Sequence, residues 1–314
     1  MNDLDADTLP LALKQHGLGE LLSFAPILRG NWRQNTVVET TTGRYVFRSR
    51  PLFEHQFQTE AQAVDFLAAS GVVAVPAPYI VDTSRSVFPW EYAVMPLLGG
   101  VPADSANITP GDRTALACAT GELLGRLHRL KADSDSDRFP LLAGRGTPGA
   151  DPLLKADRNI ETCLDRQFLT LTEARELQAT LRAWTQSRSV QLRTTFVHGD
   201  FQLSNLLVSS TDPAQITALL DFAGAHFGHP AEDLPRPLCG YLDLDPSGNL
   251  PRAFLASYGG NLSALPLYLL CERLDLWVFI RDLQVDWVDQ SLSFTGWLAP
   301  YLEAVERWAA PPLS

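Results

Sequence analysis

A chain of 314 residues with 46% hydrophobic and 19% charged residues is long enough for one large domain or two lobes, and too apolar to stay disordered. The formal net charge of −11 excludes nucleic acid as the principal partner, because phosphate-rich polymers need a basic surface. A nucleotide stays open, since a few local cations suffice to hold one.

Lys14, Lys131 and Lys155 are the lysines, so between residues 15 and 130 any cation that meets a phosphate is arginine. Arginine offers a planar, always charged fork where lysine offers a point charge. Cys118, Cys163, Cys239 and Cys271 lie far apart with no C-x-x-C pair, the pattern of reduced, mostly buried thiols in a cytoplasmic protein. Met1-Asn-Asp-Leu-Asp lacks a basic stretch followed by an apolar run. No segment approaches the ~20 apolar residues that span a bilayer, so neither export nor a membrane partner is expected.

In chain order, residues 8–17 read as a short helix. Three β-like runs follow, Ser23–Leu28, Thr36–Thr40 and Arg44–Arg48, with Thr42-Gly43 as a tight turn between the last two. A helix is expected from Phe53 to Ala69, stopped by Ser70-Gly71, with Phe57, Ala61, Val64, Leu67 and Ala68 as its apolar stripe. Trp90–Met95 reads as a strand, and Leu98-Gly-Gly-Val-Pro as a lobe boundary. Beyond it, Thr114–Leu130 and Glu173–Trp184 have helical periodicity, and helices are expected to fill 250–310. Short strands are expected at Thr195–Val197, Leu206–Val208 and Ile216–Leu220. A small sheet-rich lobe, residues 1–97, then precedes a larger helical one, residues 98–314.

The most informative segment is Phe196-Val-His-Gly-Asp-Phe-Gln-Leu-Ser-Asn-Leu-Leu-Val. An apolar strand runs into His198-Gly199-Asp200, and Asn205 follows at the start of another strand. Ala218-Leu-Leu-Asp-Phe-Ala-Gly then ends a third apolar run in Asp221. Two carboxylates and an amide at strand ends are the groups phosphoryl transfer requires. One carboxylate accepts or orients the attacking hydroxyl, and the amide and the second carboxylate hold Mg²⁺ on the phosphates. Taken singly, Asp200 as a turn residue and Asp221 as a helix cap are ordinary roles for aspartate.

His198-Gly199-Asp200-x4-Asn205, followed by Asp221 after an apolar strand, resembles the aminoglycoside phosphotransferase and choline kinase family. The resemblance implies an α+β, bilobal protein-kinase-like fold with a small antiparallel-sheet lobe and a larger, mainly helical lobe. It implies a phosphotransferase that moves the γ-phosphoryl of ATP or GTP, with Mg²⁺, to a hydroxyl of a small molecule such as an aminoglycoside or another amino or sugar alcohol. Asp200 would be the catalytic base and Asn205 and Asp221 the Mg²⁺ ligands. His198 would brace the loop, and Gly199 would occupy its tight turn. Glu60 falls inside the apolar stripe of its helix and needs a partner there. The resemblance supplies one, a strand cation that grips nucleotide phosphates, here Arg48, with Arg50 as the alternative. A solvated Glu60 at the helix margin is the ordinary reading. Asn31, Gln34 and Asn35 would approach the phosphates from a loop whose only glycine is Gly30. Backbone groups around Val94, Met95 and Leu97 would meet the adenine edge. Asp233, in Gly228-His-Pro-Ala-Glu-Asp-Leu, would hold the catalytic loop.

Two other classes compete. His226 and His229, with His198 and Asp200, would suit a transition metal and hydrolysis if they converged. A catalytically silent, kinase-shaped binding protein would fit the glycine-poor phosphate loop. Between Glu232 and Ser314 there are eleven acidic residues, five arginines and no lysine. That balance suits either a cationic acceptor or a solvated negative surface. Trp277, Trp287, Trp297 and Tyr268 would line an acceptor pocket or fill a helical core.

Overall fold

The structure, a computed structural model, describes residues 4, 7–27, 35–105, 108–131, 137–144, 152–187, 194–284, 288–289 and 291–309. Helix α1 (Leu9–His16) leads into strands β1 (Leu21–Pro26), β2 (Asn35–Thr40) and β3 (Arg44–Ser49). Helix α2 (Gln56–Ser70) precedes β4 (Ile80–Asp82), β5 (Tyr92–Pro96) and β6 (Val101–Pro102). Four helices follow: α3 (Pro110–Leu127), α4 (Pro140–Gly144), α5 (Pro152–Asp165) and α6 (Leu171–Ser187). Short strands β7 (Thr195–Val197), β8 (Leu206–Val208), β9 (Ile216–Leu219) and β10 (His226–Gly228) come next. The described chain closes with α7 (Pro235–Leu244), α8 (Asn249–Tyr258), α9 (Leu265–Leu283) and α10 (Phe294–Ala309).

Two compact units emerge. The first comprises Met1–Ala106, Ser204–Asp212 and Ile216–Ala225, and the second Asn107–Leu203, Pro213–Gln215 and His226–Ser314. Within the first, β1-β2-β3-β5-β4 form an antiparallel five-stranded sheet, and β6-β8-β9 a second, three-stranded one. Leu9, Ala12, Leu13, Val38, Phe47, Phe88, Tyr92 and Val94 make the core between α1 and the large sheet. The N-terminus of α2 lies at Gln56, later than the periodicity indicates, because His55 sits in the left-handed region at φ 60°. Gln56 accepts the Leu52 amide at 2.7 Å there. The buried face of α2 is Gln56, Phe57, Thr59, Glu60, Ala63, Val64, Phe66 and Leu67, whereas Ala68 is exposed. That face holds polar groups because they bond one another, which an apolar-only stripe cannot register.

In the second unit, α3 and α8 approach at two glycines. A Cβ built on Gly121 would lie 2.2 Å from the Phe254 carbonyl oxygen, and one on Gly125 2.7 Å from that of Tyr258. The other core lies among α5, α6, α9 and α10, centred on Trp277, whose ring meets Phe294 at 5.6 Å and Trp297 at 5.3 Å. These tryptophans fill a helical core, and Tyr268 is buried with its ring stacked on His229 at 4.9 Å. Trp287 lies outside the described residues. No helix among them is long and apolar enough to cross a membrane.

Candidate active site

In the first unit, Arg48 leaves the end of β3 and pairs with Glu60 of α2. Glu60 also accepts from the Tyr79 hydroxyl at 2.7 Å and from the Gln56 amide at 2.9 Å. Arg50, two residues on, instead stacks over Trp90 at 4.6 Å. Both members of the Arg48–Glu60 pair are buried. Burial pulls the Arg48 guanidinium down, but Glu60, Tyr79 and Asp221 together lift it further, so the cation stays charged.

Asp221 stands just after β9 in the left-handed region, φ 61°, a conformation aspartate tolerates better than most residues. Its Oδ1 lies 3.8 Å from Arg48 Nη1. That oxygen is buried and accepts no hydrogen bond. Asn205 ends a single 3₁₀ turn, Leu203–Asn205, and is buried. Its carbonyl accepts the Leu220 amide at 2.9 Å, so Asn205 and Asp221 are tied through adjacent backbone. A buried carboxylate oxygen that accepts no hydrogen bond, linked through the backbone to a second oxygen-bearing residue, supplies donors of the kind Mg²⁺ takes, with the remaining positions left to water and phosphate.

Strand β5 runs between β3 and β4. Leu97 donates its amide to the Arg44 carbonyl at 2.9 Å, and Arg50 donates to Glu91 at 3.3 Å. The alternation of an antiparallel ladder then turns Met95 toward β3 and Val94 toward Ile80 of β4. Pro96, like Val94, turns its backbone groups away from β3. Asn35 lies opposite Arg48 in the sheet, while Gly30, Asn31 and Gln34 lie outside the described residues.

In the second unit, β7 runs into His198, Gly199 and Asp200. Asp233 anchors this loop: it accepts the amides of His198 at 2.7 Å and Gly199 at 2.8 Å. Gly199 has φ 78°, so the turn between the two needs a glycine. Asp233 also meets His128 Nε2 at 3.2 Å, and His128 Nδ1 meets the Tyr258 hydroxyl at 2.9 Å. Burial pushes the Asp233 carboxyl up, but His128, His198 and the amide bonds outweigh it and hold it below its ordinary range. His198 is fully buried, and its Nδ1 accepts the Asp200 amide at 3.2 Å. Asp200 itself is 27% exposed at its side chain and is gripped by Arg236. Gln202 reaches both of its oxygens, at 3.0 and 3.1 Å.

The histidine pair does other work. His226 Nε2 lies 3.0 Å from Glu232, and His229 Nδ1 accepts the Ala231 amide at 3.1 Å in a capping box. Among the described residues no group of three or more His, Cys, Asp or Glu converges on a metal position. Five of the tail's eleven carboxylates are paired with basic side chains too. Glu232 pairs with His226, Asp233 with His128, Glu272 with Arg236 and Arg273, Asp275 with Lys155, and Asp282 with Arg166. Those five carboxylates are therefore not a free cation-binding patch.

Sequence reading missed Tyr79, His128, Gln202, Arg236 and Glu272. Only Arg236 left a signal, its place between Pro235 and Pro237 after the Asp-Leu of the loop anchor.

Comparison with known proteins agrees with this fold. The profile of the phosphotransferase enzyme family (APH) matches residues 23–268. A Ralstonia eutropha JMP134 protein provisionally assigned as an aminoglycoside phosphotransferase superposes with a TM-score of 0.70 at 20% identity, covering 97% of this chain and 98% of that one. The GDP complex of aminoglycoside 2′-phosphotransferase-IIIa gives 0.64 at 17% identity, covering 96% and 97%. These likenesses establish the α+β, protein-kinase-like fold. Acyl-CoA dehydrogenase family member 11 of Homo sapiens is 26% identical over 247 residues, 73% of this chain. The chain spans only 30% of that protein's length. By the extent of the profile match, the chain belongs to the phosphotransferase enzyme family.

Proposed function

We propose that the protein transfers the γ-phosphoryl of ATP or GTP to a hydroxyl of a small molecule, with residues 1–97 as the nucleotide lobe and 98–314 as the catalytic and acceptor lobe. The observation that carries this reading is the buried, unbonded Asp221 Oδ1, tied through Leu220 to Asn205 and facing the Arg48–Glu60 pair. Asn205 and Asp221 would hold Mg²⁺, which when bound neutralises charge on the phosphates. Arg48, kept charged by Glu60, faces the phosphate oxygens. Backbone groups of the segment Val94–Leu97 that do not pair with β3 meet the edge of the base.

Asp200 orients the acceptor hydroxyl and takes its proton. As the new O–P bond forms, the bond between the γ-phosphorus and the β,γ-bridging oxygen breaks, and the nucleoside diphosphate leaves with that electron pair. His198, Gly199 and Asp233 fix the loop from which Asp200 acts.

The test is label transfer from γ-³²P-ATP and γ-³²P-GTP to a panel of acceptors. Aminoglycosides and amino alcohols enter it through the resemblance in sequence. A labelled product that Asp200→Ala cannot make supports the reading. Nucleotide binding with no transfer to any acceptor, or to water, would leave the silent binding protein in its place.

A further inference from the structure

We infer that Arg236 is a positioning residue for the Asp200 carboxylate, anchored in turn by Glu272; the inference rests on the reading of Asp200 as the phosphoryl-transfer base. Arg236 Nη1 donates to Asp200 Oδ1, while Arg236 Nε lies 3.3 Å from Glu272 Oε1 as an ion pair without a hydrogen bond. Glu272 Oε2 accepts from Arg273 Nε at 2.6 Å. Arg273 is buried, with its guanidinium 5.2 Å from the rings of both Trp297 and Tyr301. The four charges alternate in sign, from the half-exposed catalytic loop into the helical core. Movement of Asp200 is thereby resisted by a residue that packing immobilises.

The placement of Arg236 argues for a purpose. It lies in the first turn of α7, where the helix dipole disfavours a cation. Prolines at 235 and 237 fix φ on either side, so the side chain leaves from a stiff stretch of backbone. Two carboxylates compensate the unfavourable position, and one of them is the base. In a loose phosphoryl-transfer transition state the base works mainly by orienting the hydroxyl. Losing that orientation lowers turnover without touching nucleotide affinity.

The test uses the full chain and Mg²⁺-ATP with water as acceptor, read as release of inorganic phosphate. Arg236→Gln is expected to lower kcat by about 10²-fold at unchanged KM for ATP. Arg236→Lys, which keeps the charge but not the fork, restores part of it. Glu272→Gln lowers kcat in the same direction by less. A fall in thermal midpoint with kcat and KM both intact would make Arg236 a merely structural residue and overturn the inference. Asp200→Asn separates the two layers: if it hydrolyses ATP at the wild-type rate, the reading of Asp200 fails. If it is inactive while Arg236→Gln is not impaired, only the inference fails. A readout free of turnover decides if water proves too poor an acceptor. The ¹³C carboxyl resonance of Asp200, identified by its loss in Asp200→Asn, should move in Arg236→Gln and move less in Arg236→Lys. An unmoved resonance would overturn the inference.

Discussion

The Leu220 amide donates to the Asn205 carbonyl at 2.9 Å, and this bond extends the β8–β9 pairing to the two loops that carry the proposed metal ligands. Asp221, the next residue, is held left-handed at φ 61°. Asparagine accepts that conformation and matches aspartate in shape, so Asp221→Asn should leave unfolding free energy within about 1 kcal/mol of wild type. A β-branched residue does not, and Asp221→Val should cost a further 1–2 kcal/mol or so by urea titration.

Arg48 and Glu60 form a buried pair in which neither charge reaches water without the other. Removing one partner strands its counterpart, so Arg48→Ala and Glu60→Gln should each lower stability by about 3–5 kcal/mol. Arg48→Lys should cost less, because it keeps the charge and loses the fork. A double mutant no worse than either single variant would confirm coupling.

The Asp233 carboxyl is held below its ordinary 3.8 by His128 and the amides of His198 and Gly199. A depressed carboxyl adds stability that is fully present above the unfolded value and is lost as pH falls through the folded one. Asp233→Asn should therefore lower stability by about 1.5–3 kcal/mol at neutral pH. That gap should hold down to about pH 5 and shrink below about pH 4. Denaturant melts of both proteins across this range read it directly.

Gly121 and Gly125 let α3 lie against the backbone of α8, with no room for a methyl group at Gly121. Gly121→Ala should cost about 1–3 kcal/mol through overpacking, despite alanine's better helix propensity. Gly240, whose Cβ would meet nothing within 4 Å, is the control, and its alanine variant should be neutral or slightly more stable.

Much of the frame was legible in the residues. The periodicity of α1, α3, α6 and the strands β2, β3, β8 and β9 comes from local apolar spacing, which sequence displays. Strands β4, β6 and β10 are no longer than β8 but lack its continuous apolar run, ending in Asp82, Pro102 and Gly228, and exist because a neighbouring strand pairs with them. The site divides the same way. His198, Asp200, Asn205 and Asp221 lie close in sequence at fixed spacing, and Glu60 stood out as a charge on an apolar face. Arg236, Glu272, His128 and Tyr79 act across long stretches of chain, for example the 36 residues from Asp200 to Arg236. Only the folded backbone brings such residues together. The tail's carboxylates show the same divide, since composition counts charges and cannot see which of them are paired.

The central claim is a magnesium-dependent nucleotide site built on Asp221. Thermal unfolding with Mg²⁺-ATP or Mg²⁺-GTP tests it most directly, with wild type beside Asp221→Asn. A nucleotide at a hundred times its dissociation constant stabilises the folded state by about 2.7 kcal/mol, a readily measured rise in midpoint. The account predicts a rise in wild type that needs magnesium and is lost in Asp221→Asn. No rise with either nucleotide at millimolar concentration, or an equal rise in both proteins, would contradict it.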